Sequence, residues 1–243
     1  MRFSAIKNSL LDLLFPRLCL RCKQEGSFFC KMCESTLTFI PPPCIVCGKL
    51  VPASRDGRVV PGRTCEYCAQ KSFIYAFLSP FSYDEQTVRE LIHALKYYRV
   101  TALAEVLAGL LCKYLLLHQI NIPGEAVIIP IPLYPSRRRT RGFNQAELIA
   151  EKLIMCFREG SRPPCDLQAL KRVKNTSSQV ELSGEKRKSN VSEAFAVTNK
   201  DLIKDKTIIL VDDVKTTGAT LEEAARVLKE AGAKRIWAIT LAH

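Results

Sequence analysis

An α/β fold built on a parallel sheet, preceded by a small cysteine-rich module, is the architecture this sequence predicts. Three observations carry that expectation. From Phe73 onward, short apolar runs alternate with amphipathic segments, the pattern of strands and helices stacked around one parallel sheet. The run Ile208-Ile209-Leu210-Val211 is continuously apolar, as a strand covered on both faces must be, and it ends in two adjacent carboxylates and a small polar loop. Eight of the eleven cysteines form four C-x-x-C pairs near the N-terminus. The boundaries that follow are residues 1–70 for the cysteine module and 71–243 for the α/β domain.

The chain begins with Ile6, Leu10, Leu11, Leu13 and Leu14, interrupted by Lys7 and Asp12 and followed by no small-residue cleavage site. This reads as a short amphipathic helix packing on the next domain rather than as a secretory signal. The most apolar later stretch, Ala102 to Leu117, contains Glu105 and Lys113 and falls short of the ~20 apolar residues a membrane span needs. It is expected to be a core helix, and the chain is expected to be cytoplasmic with no membrane span.

The pairs Cys19/Cys22, Cys30/Cys33, Cys44/Cys47 and Cys65/Cys68 supply enough thiolates for two tetrahedral Zn²⁺ sites. A proline-rich segment of this length has little core of its own, so metal is its expected stabiliser. Basic neighbours Arg21, Lys23, Lys31 and Lys49 favour the thiolate form. Disulfides are disfavoured in a chain that otherwise looks cytosolic, and a single redox pair would not need four C-x-x-C motifs. Sequential sites, 19/22/30/33 and 44/47/65/68, are the simplest pairing, with an interleaved arrangement left open. Cys112, Cys156 and Cys165 lie outside the motif, Cys112 as a small core residue.

In the α/β domain, strands are expected at Ala76–Tyr83, Ala126–Pro132, Thr207–Asp212 and Arg235–Leu241. Helices are expected at Asp84–Tyr97, Ala102–Leu117, Asn144–Phe157 and Thr220–Ala231, with Gly232 as a stop. Ligands of such a sheet bind at the carboxyl ends of its strands. Three segments can meet there. Asp212-Asp213, followed by Thr216-Thr217-Gly218-Ala219-Thr220 and a helix, offers backbone N–H groups and a positive helix end to a phosphate. The two carboxylates suit a polyhydroxylated sugar, directly or through Mg²⁺. The ligand implied is a sugar phosphate. The second segment, 132–145, carries Arg137, Arg138, Arg139 and Arg141, which make a poor core but a good oxyanion clamp. Phe143 is either a base-stacking ring or, the favoured reading, a core anchor, and Asn144 is a helix cap. The third segment, from Leu170 through Arg172, Lys174, Thr176–Gln179, Leu182, Arg187 and Asn190 to Phe195, is a solvated linker or a lid that excludes water.

The net charge of +12 is uneven. Residues 1–70 hold ten basic against five acidic side chains, and residues 134–190 hold thirteen against six. Clustered positive charge points to a phosphate-bearing partner, either a small pyrophosphate or a nucleic acid.

The stretch Val211-Asp212-Asp213-Val214-Lys215-Thr216-Thr217-Gly218-Ala219-Thr220 resembles the phosphoribosyl-pyrophosphate (PRPP) binding motif of type I phosphoribosyltransferases. That resemblance implies a Rossmann-like parallel sheet of the type I phosphoribosyltransferase fold. It assigns Asp212 and Asp213 to the ribose hydroxyls and residues 216–220 to the 5′-phosphate, with Lys215 at a variable position. In order along the chain, the cysteine module, P-L-Y-P-x-R…R-G-F-N-Q-A, R-x-K-x-T-x-x-Q…R-x-x-N…A-F and V-D-D-V-x-T-T-G-A-T resemble the ComF family of competence proteins. Membership implies a double zinc ribbon fused to a phosphoribosyltransferase domain, and a link to natural transformation and imported single-stranded DNA. Two functions compete on this basis. One is an enzyme binding PRPP with Mg²⁺, in which Arg137, Arg141, Arg172 and Lys174 stabilise the leaving pyrophosphate. The other is a non-catalytic single-stranded DNA-binding or scaffold protein, with Tyr97, Tyr98 and Phe143 as stacking residues and a DNA-uptake helicase as a partner.

Overall fold

The computed structural model describes residues 16–51, 60–123, 125–157, 159–160, 162–175 and 191–243. The expected N-terminal helix and the middle of the expected lid, including Thr176–Gln179, Leu182, Arg187 and Asn190, lie outside the described residues.

Among these residues, strands β1 (Ala76–Leu78), β2 (Ala126–Pro130), β5 (Thr207–Val211) and β6 (Arg235–Ile239) form one sheet in the order β1-β6-β5-β2. Every pairing in it is parallel. All four expected strands are present, each shorter than expected because pairing stops where the chain turns into the site loops. All five β5 residues are buried, which explains their unbroken apolar character. A two-stranded antiparallel ladder, β3 (Leu170–Arg172) with β4 (Phe195–Val197), flanks the third segment.

Among the described residues, the α-helices are α1 (Lys31–Ser35), α2 (Gln86–Tyr97), α3 (Leu103–Leu117), α4 (Pro135–Arg141), α5 (Gln145–Leu153) and α6 (Ala219–Glu230). The start of α2 is set by Glu85, whose carboxylate accepts from the Thr87 N–H, rather than by Asp84. α3 is the expected core helix, burying Leu103, Leu107, Leu111 and Tyr114. Sequence reasoning did not anticipate α4. Pro135 at its first turn fixes φ for helix entry, and the arginine run then winds into two turns instead of a loop.

Side chains alternate across the sheet and divide the core in two. Ile209, Val211, Trp237 and Ile239 face α2, α3 and α5, together with Cys19, Phe29 and Cys33 of the cysteine module. Ile208, Leu210, Ile236 and Ala238 face α6, together with Ile45 of the module. The module also covers the free edge of β1. The Phe77 N–H donates to Gly62 O (2.8 Å), and the Thr64 N–H donates to Tyr75 O (2.8 Å). Phe39 packs on Phe81 and Tyr114, with ring centroids 5.3 and 5.8 Å apart. Buried Glu34 binds Lys113 of α3 and Lys31. Burial pushes its pKa up, but those two ammonium groups more than offset this and hold it below the usual carboxylate range.

One expectation needs correction. Cys112 is not an isolated core thiol: it is disulfide-bonded to Cys156, just after α5, with Cα atoms 5.5 Å apart. The packing of α3 on α5 brings together two cysteines 44 residues apart, a proximity no local spacing reveals. Phe39 joins the module to the core, so Phe39→Ala should cost about 2–4 kcal/mol. Urea denaturation of the full chain would read this as a lower midpoint for one shared transition.

Candidate functional site

The sequence delivers three loops to the carboxyl edge of the sheet, and a cavity of about 1040 Å³ opens among them. Asp212 and Asp213 sit where β5 ends. Their backbone is held by the neighbouring strand: the Asp212 N–H donates to Ile239 O (3.0 Å) and the Leu241 N–H to Asp213 O (3.0 Å). Asp212 Oδ1 accepts from the Asp213 N–H at 2.8 Å. Burial, and then the charge of Asp213, raise the Asp212 carboxyl to about 7, against partial relief from that N–H, Lys96 and Arg172.

Lys96, in the last turn of α2, approaches Asp213 Oδ2 at 2.8 Å. Burial opposes its charge, but Asp213 and Asp212 outweigh burial and lift its pKa above the ordinary lysine value. Sequence reasoning missed Lys96, as well as His93 and Tyr83 beside it in the lining. A signal existed: Lys96 stands four residues after Ile92 and eight after Val88, on the apolar stripe of α2, where an unpaired lysine would be costly.

After the acidic pair, Gly218 adopts φ +80° and starts α6. A β-carbon there would meet Lys215 Cε at 3.3 Å in a backbone region that L-residues avoid, so glycine is required for the turn. Thr217 Oγ1 accepts from the Ala219 N–H (3.4 Å), while Thr216 and Thr220 line the cavity. The twelve-residue α6 thus begins beside the cavity, with Thr220 of its first turn in the lining and the positive end of the helix toward it. Lys215 does not join them. Its side chain turns back over the Phe77 ring, with Nζ 5.5 Å from the centroid.

The arginine run divides between two cavities. Arg137 and Arg141 line the first, with Arg172 from β3. Arg141 donates to Gln145 Oε1 (2.6 Å) and lies over the exposed Tyr97 ring at 5.5 Å. Burial and the nearby Arg137 lower the Arg172 pKa, with Asp212 opposing. Arg138 and Arg139 face a second cavity of about 670 Å³, where Arg138 is paired with buried Glu147 (2.6 Å). Lys174 lies outside both linings and donates to Ser192 O at 3.3 Å. Tyr98 is exposed, and Phe143 is partly buried against the core, as an anchor would be. Asn144 caps α5 through the Ala146 N–H (3.1 Å) and also donates to Ile131 O (3.0 Å), tying the arginine segment to β2.

The cysteines assemble as two groups, Cys19/Cys22/Cys30/Cys33 and Cys44/Cys47/Cys65/Cys68, with each group's Sγ atoms within 4.8 Å of one another. The pairing is therefore sequential, not interleaved. The donor chemistry fits Zn²⁺. Backbone N–H groups aimed at Cys19 and Cys44 outweigh burial and bring these thiols down to about 6 and about 7. Burial and the crowding thiols push Cys33 up to about 12, and the crowding thiols, then burial, do the same at Cys68. A divalent cation among them would hold all four as thiolates.

A parallel sheet ending in an acidic pair, preceded by two four-cysteine groups, is the architecture of a phosphoribosyltransferase-type domain carrying a double zinc ribbon. Residues 139–243 match the phosphoribosyl transferase domain family, and residues 10–69 match the double zinc ribbon domain family. The chain is 33% identical to competence protein F of Haemophilus influenzae over 222 residues, covering 90% of this chain and 87% of that protein. It is 29% identical to DNA utilization protein YhgH of Escherichia coli K12 over 236 residues, covering 93% and 98% of the two chains. Over 108 residues it is 41% identical to competence protein ComFC of Bacillus subtilis, 44% of this chain and 39% of that one. The chain belongs to the ComF family. No helix among the described residues is long and apolar enough to cross a membrane.

Two predictions follow from the site's electrostatics. Because the Asp212 pKa is raised on folding, the folded state holds a proton that the unfolded state releases between about pH 4 and 7, so this carboxyl lowers stability as pH rises through that window. Asp212→Asn should raise the ligand-free melting temperature by roughly 5 °C at about pH 8, with the gain shrinking toward pH 4. Cys30→Ser should reduce bound zinc from two ions per chain to one, read by elemental analysis of the purified protein. Full zinc retention would exclude Cys30 as a ligand.

Proposed function

We propose that this chain binds PRPP together with Mg²⁺ at the Val211–Thr220 segment and transfers the phosphoribosyl group to a nitrogen acceptor. The observation that carries this reading is the convergence of Asp212, Asp213, the α6 N-terminus and Arg137, Arg141 and Arg172 on one cavity. Asp212 and Asp213 would receive the ribose hydroxyls, and the 216–220 loop the 5′-phosphate. A carboxyl pair with an excess of negative charge, and one member raised to about 7, suits a divalent cation. Such a cation would neutralise the pyrophosphate oxygens as they leave.

In the reaction, the bond from ribose C1 to the pyrophosphate oxygen breaks and its electron pair departs with pyrophosphate. A bond from C1 to the acceptor nitrogen forms, and that nitrogen loses its proton. The transition state gathers negative charge on the leaving group, where Arg137, Arg141 and Arg172 in the cavity lining would offer positive charge. Lys174 would join them only by giving up its present contact with Ser192 O. Lys96 holds Asp213 in place and balances its charge until the sugar arrives.

A second reading, a single-stranded DNA-binding role within the competence machinery, is supported by exposed Tyr97 and Tyr98, with Tyr97, Arg99 and Arg141 in the cavity lining. An aromatic platform among cations suits stacked bases and phosphates. The relatives named for competence and DNA utilization support a link to DNA uptake.

Titration calorimetry with PRPP, with and without Mg²⁺, separates the readings. Mg²⁺-dependent binding is expected, falling by about 30-fold or more in Asp212→Asn/Asp213→Asn. The same double variant should keep single-stranded DNA binding, measured by anisotropy against salt. Absence of PRPP binding alongside steeply salt-dependent DNA binding would overturn the transferase reading and favour the second.

A further inference from the structure

The two four-cysteine groups lie on opposite faces of the sheet, and the second one adjoins the phosphate loop. Ile45, between Cys44 and Cys47, is buried in the core cluster that contains Ala219 and Leu221 of the first turn of α6. Fully buried Phe77 of β1 links the two regions. Its N–H donates to Gly62 O, on the segment leading into Cys65. A β-carbon on Gly62 would fall 2.1 Å from Phe77 O, so this segment is pressed directly against β1. On the other side, the Phe77 ring carries the Lys215 ammonium at 5.5 Å and the edge of His243 at 5.4 Å. Lys215 also lies within electrostatic reach of Cys44 and Glu222.

The chain leaving the second group makes a further tie. The Ser72 hydroxyl and the Phe73 N–H (3.0 Å) both donate to the Glu222 carboxylate in the first turn of α6. Behind the 216–220 loop, Ile45 of the second group shares a core cluster with Ala219 and Leu221, Lys215 lies over Phe77, and Glu222 accepts from the chain that follows Cys68. Four thiolates around one Zn²⁺ would carry a net charge of about −2, which the Lys215 ammonium would complement.

We propose that the Cys44/Cys47/Cys65/Cys68 group is the positioning element of the 216–220 loop, so that its Zn²⁺ occupancy sets how firmly the loop holds a phosphate. The proposal rests on the phosphate-loop reading above. Ile45, Lys215 and Glu222 are positioning residues: they act on the ligand through the loop backbone and α6. The first cysteine group packs on the opposite face with α3 and does not share this role.

The test uses the full chain and two readouts: hydrogen exchange of the residue 215–221 amides without ligand, and PRPP affinity. Cys47→Ser, with zinc down to one ion per chain, should speed exchange at 215–221 by about 10-fold and weaken PRPP binding by a similar factor. Phe39→Ala, which destabilises the opposite face, should leave both unchanged. Ile45→Ala should reproduce the Cys47→Ser effect with zinc retained, and Ile45→Val should restore most of the loss. This pair decides the matter if Cys47→Ser does not fold. Unchanged exchange in Cys47→Ser or Ile45→Ala, or an equal rise in Phe39→Ala, would overturn the proposal. Failure of the wild type to bind PRPP would remove the phosphate-loop reading, while the exchange data would still report whether the second group orders the segment.

Discussion

A parallel sheet that is apolar on both faces must be covered on both faces and at both edges, and the rest of this structure follows from that constraint. Three helices and the first cysteine group cover one face, while α6 and Ile45 help to cover the other. At the β2 edge, the Ile128 N–H donates to Pro164 O and the Asp166 N–H to Ile128 O. At the β1 edge, the cover is the strand-like segment around Gly62 to Thr64. The cysteine module is therefore part of how the sheet is closed. Its small size, which leaves it little core of its own, is compensated by a core it shares.

The same sheet makes the candidate site expensive to build. The central strand carries two carboxylates to its carboxyl end, where burial raises one of them to about 7. Lys96 supplies the countercharge from α2, and Arg172 approaches from the β3–β4 ladder. Negative charge at the end of β5 thus faces positive charge from α4, β3 and the α6 N-terminus across one cavity. Such an arrangement costs stability when empty and suits a ligand that is hydroxylated at one end and anionic at the other.

Much of this was legible in the sequence because it depends on local period and spacing. The unbroken apolar run at 208–211 identified a strand buried on both faces, and Gly218 after two threonines identified the turn into α6. The C-x-x-C spacing pointed to the two four-cysteine groups, since two thiolates separated by two residues can reach one ion whatever surrounds them. Asn144 was readable as a cap because capping is a local hydrogen bond.

What the sequence could not decide depends on which segments meet. Lys96 belongs to the site only because α2 packs against the end of β5, more than a hundred residues away. The arginines divide between two cavities because α4 is a helix, which turns neighbouring side chains in different directions. Lys215, inside the motif by sequence, points away from it because Phe77 offers its ring on the other side of the loop. Cys112 meets Cys156 through helix packing, and the second cysteine group comes near the 216–220 loop through the sheet edge. Local chemistry and periodicity are properties of neighbouring residues and are written in the sequence itself. Countercharge, side-chain direction and contact between distant segments arise only when the core closes, so the tertiary structure alone decided them.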